Sequence, residues 1–160
     1  MLKSHLAFTA MMLCFAQATT LVAAEDAPAS GVVFRLAETE PGEGLTKAVV
    51  LHQEKFVYLH ADTLVSDQDV SSVTFDRDES GHVGISITIE PAAAKRLSAA
   101  TKEHLDKPIA IVLDGVVITA PIIRAEISNK ARLTGNFSDA ELSRLFRALV
   151  LHSAIAVEPK

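Results

Sequence analysis

Asp76, Asp78, Ser80 and Gly81 follow the spacing of the first half of an EF-hand calcium loop, in which alternate oxygen-bearing side chains face the ion and a glycine makes the sharp turn. The twelfth position of such a loop is a glutamate that closes on calcium with both oxygens, and here it is Ile87. Without that ligand the stretch reads as an acidic turn. Beyond residue 24 the histidines are His52, His60, His82, His104 and His152. None has the short spacing that puts two imidazoles on one element. His52 and His60 would face one another only across a hairpin, as a weak zinc or copper pair; otherwise these are surface histidines. The chain has no Gly-x-Ser-x-Gly elbow and no phosphate loop or dinucleotide fingerprint, and its one cysteine is Cys14. The carboxylate pairs Glu38/Glu40 and Asp67/Asp69 fall in solvated loops. These residues predict no enzyme, no cofactor and no metal.

The elements that position these groups follow from periodicity. A short strand is expected over residues 32–36, then a loop rich in Glu, Pro and Gly to residue 44. Two apolar runs, 48–51 and 56–59, flank a polar turn and predict a hairpin. Residues 66–69 form at most one helical turn. Val73 and Phe75 share a face, and Val83, Ile85, Ile87 and Ile89 alternate with Gly84, Ser86 and Thr88, so both segments are strands with one apolar side. Glu90-Pro91 opens a helix with a stripe of Ala93, Leu97, Thr101 and Leu105, stopped by Lys107-Pro108. Asp114-Gly115 joins two apolar runs as a two-residue hairpin link, which needs positive φ at both positions. A strand near 131–134 precedes the clearest helix. Ser138 with Glu141 makes a capping box, Phe137 and Leu142 have staple spacing, and Leu142, Leu145, Phe146 and Leu149 line one face. A last strand is expected at 154–157. The fold class is α+β: a two-layer domain, its mainly antiparallel sheet carrying two helices packed on one face.

The N-terminus carries Lys3, an apolar stretch over 6–16, and small residues Val22 and Ala24 ahead of Glu25-Asp26. That is the layout of a cleavable signal peptide over residues 1–24, because Gln17 and several threonines interrupt what a spanning helix would keep apolar for about 20 residues. Residues 25–31 then read as a flexible lead-in to a domain over 32–160. Cleavage would remove Cys14 and all three methionines, leaving no sulfur to oxidise in an oxidising envelope. It would also remove Lys3, making the net charge one unit more negative than −5. An acidic chain without a basic cluster argues against nucleic acid and anionic lipid. No later apolar run approaches spanning length, so the mature chain is expected to be soluble and periplasmic.

Two separated motifs carry a family resemblance. Lys107-Pro108 leads a strand into Leu113-Asp114-Gly115, and the return strand ends in Thr119-Ala120-Pro121. Further on, Thr134-Gly135 is followed by Phe137, Ser138 and Glu141. In this order they resemble the periplasmic head (P1 head) of the protein-export subunit SecD, and the hairpin from Val73 to Ile89 is similar to that family's upstream hairpin. Asp106 stands where the family has glycine, and Ser153 where a Gly-Ala-Leu segment would begin, implying slightly different helix ends. SecD with SecF couples a proton gradient to export from within the membrane, and the head contacts chains emerging in the periplasm. The resemblance implies the head alone. Its motor function, which needs ionisable groups inside a membrane, does not carry over.

The expected function is therefore a non-enzymatic envelope module engaging unfolded or exported polypeptide or a protein partner; the alternative is a structural subunit docked on an envelope complex. Leu113, Asp114, Gly115, Ala120, Pro121, Thr134, Gly135, Phe137, Ser138 and Glu141 are read as mainly structural. If Ile109, Ile111, Leu113, Val116 and Ile118 face the helices, then Ala110, Val112, Val117 and Thr119 form an apolar strip on the opposite side. That strip, unless a loop over 38–48 or 122–131 covers it, is the expected polypeptide-binding face.

Overall fold

The computed structural model describes residues 31–77, 83–135 and 137–151. In chain order the strands and helices are β1 Val32–Glu38, β2 Thr46–Val49, β3 Phe56–Leu59, β4 Val65–Ser66, β5 Val70–Arg77, β6 Val83–Ile89, α1 Pro91–Glu103, β7 Ile109–Leu113, β8 Val116–Thr119, β9 Lys130–Leu133 and α2 Asp139–Val150, with a 3-10 turn over Asp67–Asp69. The fold is α+β, and every ladder between named strands is antiparallel. The expected signal peptide, the EF-hand-like turn beyond Arg77, His82, His152 and the strand expected at 154–157 lie outside the described residues.

The strands form two sheets rather than one. One edge of β1 is filled by β3 and β4 in tandem and the other by β7, giving the order β2-β3-β1-β7-β8. With both its edges occupied, β1 cannot accept the β5–β6 hairpin, which pairs with β9 instead. Across that second sheet Phe75, Ile85 and Leu133 stand in one row and Val73, Ile87 and Ala131 in the next, so period-two alternation becomes a continuous apolar face.

Because β1 alternates, its two faces feed two cores. Val32, Phe34 and Leu36 join Ile109, Ile111 and Leu113 of β7, the apolar face of the second sheet, Leu97 of α1, and Leu145 and Leu149 of α2. Ala37 instead meets Ala110, Val112, Val117, Val50, Val57 and Leu59. This smaller core is enclosed by the sheet itself. Beyond β2 the chain runs to Val50, which makes a parallel bridge to Val117, while Leu51 N–H donates to the Val117 carbonyl at 2.8 Å. The last strand of the order thus touches the continuation of the first.

Local chemistry sets the element ends. Asp114 and Gly115 have φ of 48° and 81°, the pair of positive values that the tight link demands. Helix α1 ends before Leu105, which is exposed, and Asp106 takes the left-handed conformation (φ 64°) where glycine is the usual choice. The buried Thr101 hydroxyl donates to Leu97 O at 2.8 Å and accepts from Ile127 N–H at 3.0 Å, tying the irregular stretch after β8 to α1.

Candidate functional site

Helix α2 is placed by its first turn. Ser138 Oγ accepts from Glu141 N–H at 3.3 Å, and Glu141 Oε2 accepts from Ser138 N–H at 2.8 Å, closing the capping box. The backbone N–H and hydroxyl of Ser138 hold the Glu141 carboxyl below its usual pKa against the opposing effect of burial, and His52 adds to this through a 2.8 Å contact with Oε1. Just upstream, a Cβ on Gly135 would lie 2.9 Å from the Phe137 ring, so glycine is what lets that ring fold back before the cap.

A second tether fixes the far side. Asp114 accepts from Arg144 of α2 at 2.7 Å and from Gly31 N–H at 3.1 Å, and these two bonds pull its carboxyl below the ordinary range. Gly31 has φ 118°, and a Cβ there would sit 2.3 Å from Asp67 Oδ2, so no other residue fits without displacing that buried side chain. The Asp-Gly turn, the start of β1 and the middle of α2 are thereby held together.

With Leu145 and Leu149 fully buried, the flank of α2 is left with Leu142, Phe146, Val150 and Leu151. Phe75, at the edge of the second sheet, packs on Phe146 with ring centroids 4.5 Å apart and tilted by 39°. These residues line a groove of about 670 Å³, with Asp139, Ser143 and Arg147 at its polar rim. Phe75 is 49% exposed and Leu151 72%. Aromatic and aliphatic side chains on rigid elements with a charged rim suit an apolar segment of polypeptide.

The expected strip on β7 and β8 is not a surface. Ala110, Val112 and Val117 are exposed by only 0%, 6% and 2%, and Thr119 is half-buried. The cover is the β2–β3 hairpin with Val50; the segment 38–48 considered from the sequence contributes to it as strand rather than loop, through Ala48 of β2, which packs against this core. The other motif residues have structural places. Leu113 is core, Ala120 packs against the smaller core, and the Pro121 carbonyl accepts from Ile109 N–H at 2.9 Å. Thr134 is exposed beside β9. Phe75 and Phe146 escape a reading by periodicity because each sits on a face that also feeds the core. The signal was surplus: six apolar residues in the second half of α2 and its end exceed what one stripe buries.

The histidines are also rearranged. His52 and His60 do not meet; His52 reaches Glu141, whereas His60 Nε2 lies 3.3 Å from Glu38 Oε1 beside His104.

Residues 43–155 match the family model described as SecDF, P1 head subdomain. Among curated proteins, the chain is similar to the protein translocase subunit SecD of Aquifex aeolicus (31% identical over 96 residues, 60% of this chain and 19% of that one). It is likewise similar to SecD of Syntrophobacter fumaroxidans (34% over 109 residues, 66% and 20%) and to SecDF of Thermus thermophilus (37% over 91 residues, 56% and 12%). The chain therefore spans at most about a fifth of the length of these relatives. Among solved structures it resembles SecDF in its super-membrane-facing form, with TM-score 0.58 and 28% identity over 77% of this chain and 18% of that one. It also resembles a structure of SecDF described as a membrane component that enhances protein export, with TM-score 0.55 and 26% identity over 77% of this chain and 62% of that one. Among the described residues, no helix is long and apolar enough to cross a membrane. With the family model matched across most of its length, the chain belongs to the SecDF P1 head subdomain family.

Proposed function

We propose that this protein is a non-enzymatic, extracytoplasmic binding module that engages unfolded or exported polypeptide in protein export, and that an apolar client segment docks in the groove along α2. Its frame is a two-layer domain in which both helices pack on the core that the two sheets share and α2 keeps one flank for the client. Residues 1–24 act as a signal peptide that delivers the module to the periplasm. The observation that carries the docking site is the Phe75–Phe146 pair, an aromatic contact held at the surface by a strand and a helix. Such a pair adds about 0.5–1.5 kcal/mol beyond its area when it is packed, and a client covering it would extend the same stack. Family membership supports the polypeptide as the ligand class, since the relatives are translocase subunits.

The test is a fluorescence-anisotropy titration with a reduced, alkylated protein that cannot fold. Wild type binds it, and Phe75→Ser weakens binding severalfold while the thermal melt stays within a few degrees. Equal binding by a folded Phe75→Ser variant removes the groove from the proposal. A single partner that instead co-purifies through washing would favour permanent docking on an envelope complex.

A further inference from the structure

We propose that Glu38, His60 and His104 form a binding site for a divalent zinc-class ion, independent of the polypeptide groove. Glu38 ends β1, His60 follows β3, and His104 caps the C-terminus of α1, so the three groups come from three separate elements. One ligating atom from each lies within 4.8 Å of the others, and all three residues are half-buried. Ligands about 2.0–2.2 Å from a tetrahedral zinc ion stand about 3.4 Å from one another, so small rotations about side-chain bonds complete the set.

Two further features point to a cation. His104 Nδ1 lies 3.2 Å from the Ala100 carbonyl, which can only accept. In the neutral ring Nδ1 therefore carries the proton and Nε2 keeps its lone pair, the arrangement that orients metal-binding imidazoles in general. The carbonyl end of α1 also lies at His104, and the helix dipole favours positive charge there. The His60 and His104 rings stand edge to face with centroids 5.7 Å apart, so neither blocks the other. At present the positive charge is supplied by Lys107, whose Nζ donates to Glu38 Oε1 at 3.0 Å. Lys107 is about half exposed on a flexible stem and can leave to solvent. An arriving ion displaces the Lys107 ammonium to solvent, neutral His60 offers Nε2 as the tautomer with its proton on Nδ1, and water fills the fourth position, as in other sites with three protein ligands. Two imidazoles and one carboxylate suit zinc among the ions an envelope protein meets, whereas calcium and magnesium prefer all-oxygen shells.

The experiment is calorimetric titration of the full-length protein with zinc chloride, paired with thermal melts. One ion per chain and a rise in melting temperature are expected. His104→Gln and His60→Gln each lower affinity by at least the roughly tenfold to hundredfold that losing an outer-shell partner costs. Lys107→Met removes the competing charge and tightens binding, an effect that adventitious surface histidines would not reproduce. His52→Gln leaves affinity unchanged. Binding that survives the His60→Gln/His104→Gln double variant, or that Lys107→Met does not alter, overturns the site. Circular dichroism confirms that each variant is folded.

Discussion

Arg144 donates a 2.7 Å hydrogen bond to Asp114, joining the middle of α2 to the β7–β8 turn. Asp114 is thus more than the first residue of a tight link. Its carboxylate gathers a helix, a hairpin and, through Gly31, the start of the central strand. Because these bonds lower its pKa in the folded state, the stability they contribute is complete above the unfolded pKa and is lost as pH falls through the folded one. Stability should therefore decline as the medium is acidified through and below the ordinary carboxylate range. Asp114→Asn should be less stable at neutral pH and show a shallower acid decline in denaturant melts; an unchanged slope would show that the tether carries no charge-dependent stability.

The capping box gives a graded pair of effects on α2. Ser138→Ala should cost about 1 kcal/mol, since Glu141 N–H loses its acceptor at the helix start. Leu145→Ala should cost roughly 2–5 kcal/mol, because Leu145 is fully buried and its removal leaves a cavity. Urea unfolding of both variants measures the ratio, and near-equal small effects would mean that α2 is loosely held.

Val117→Asp should prevent folding altogether. The side chain lies in the smaller core among Ala37, Val50, Val57 and Val112, where a carboxylate has no partner. A folded, monomeric Val117→Asp protein by circular dichroism and size exclusion would mean that the β2–β3 hairpin swings away from β8.

Processing of the N-terminus is the fourth expectation. If residues 1–24 are a signal peptide, exported protein begins at Glu25 and lacks Cys14 and every methionine. Intact-mass measurement of envelope material distinguishes this from a chain retained in the membrane fraction with Cys14 present.

Most strand and helix positions were legible because their signals are local, whereas β4 has only two residues to show a pattern and β2 begins two residues ahead of its apolar run. The alternation from Val83 to Ile89, the Asp114-Gly115 link and the Ser138–Glu141 box each need only a few neighbouring residues to state their geometry. The family was legible for the same reason, its motifs being hairpin and cap chemistry. The partition of strands was not, because nothing in β5 or β6 reports that both edges of β1 are already filled. Nor was the fate of Val112 and Val117, whose apolar outer face was read correctly but whose cover comes from residues far away in sequence. Glu38, His60 and His104 meet through the β1–β3 pairing and the end of α1, a convergence that no spacing rule encodes.

The bridge between Val50 and Val117 has a consequence for the proposed work among unfolded chains. A strand with unpaired backbone groups is a template on which any extended polypeptide can grow, and a module surrounded by such polypeptides would be consumed by it. Here β8 has its Val117 carbonyl already engaged by Leu51, so an incoming strand must first break the protein's own hydrogen bond. On the second sheet, one of the two outer strands, β9, is only four residues long and carries Lys130 and Arg132, which repel a growing stack by charge. If a client docks along α2 as proposed, it meets, at β8 and β9, edges that resist adding its backbone to the ladder, so contact there stays between side chains.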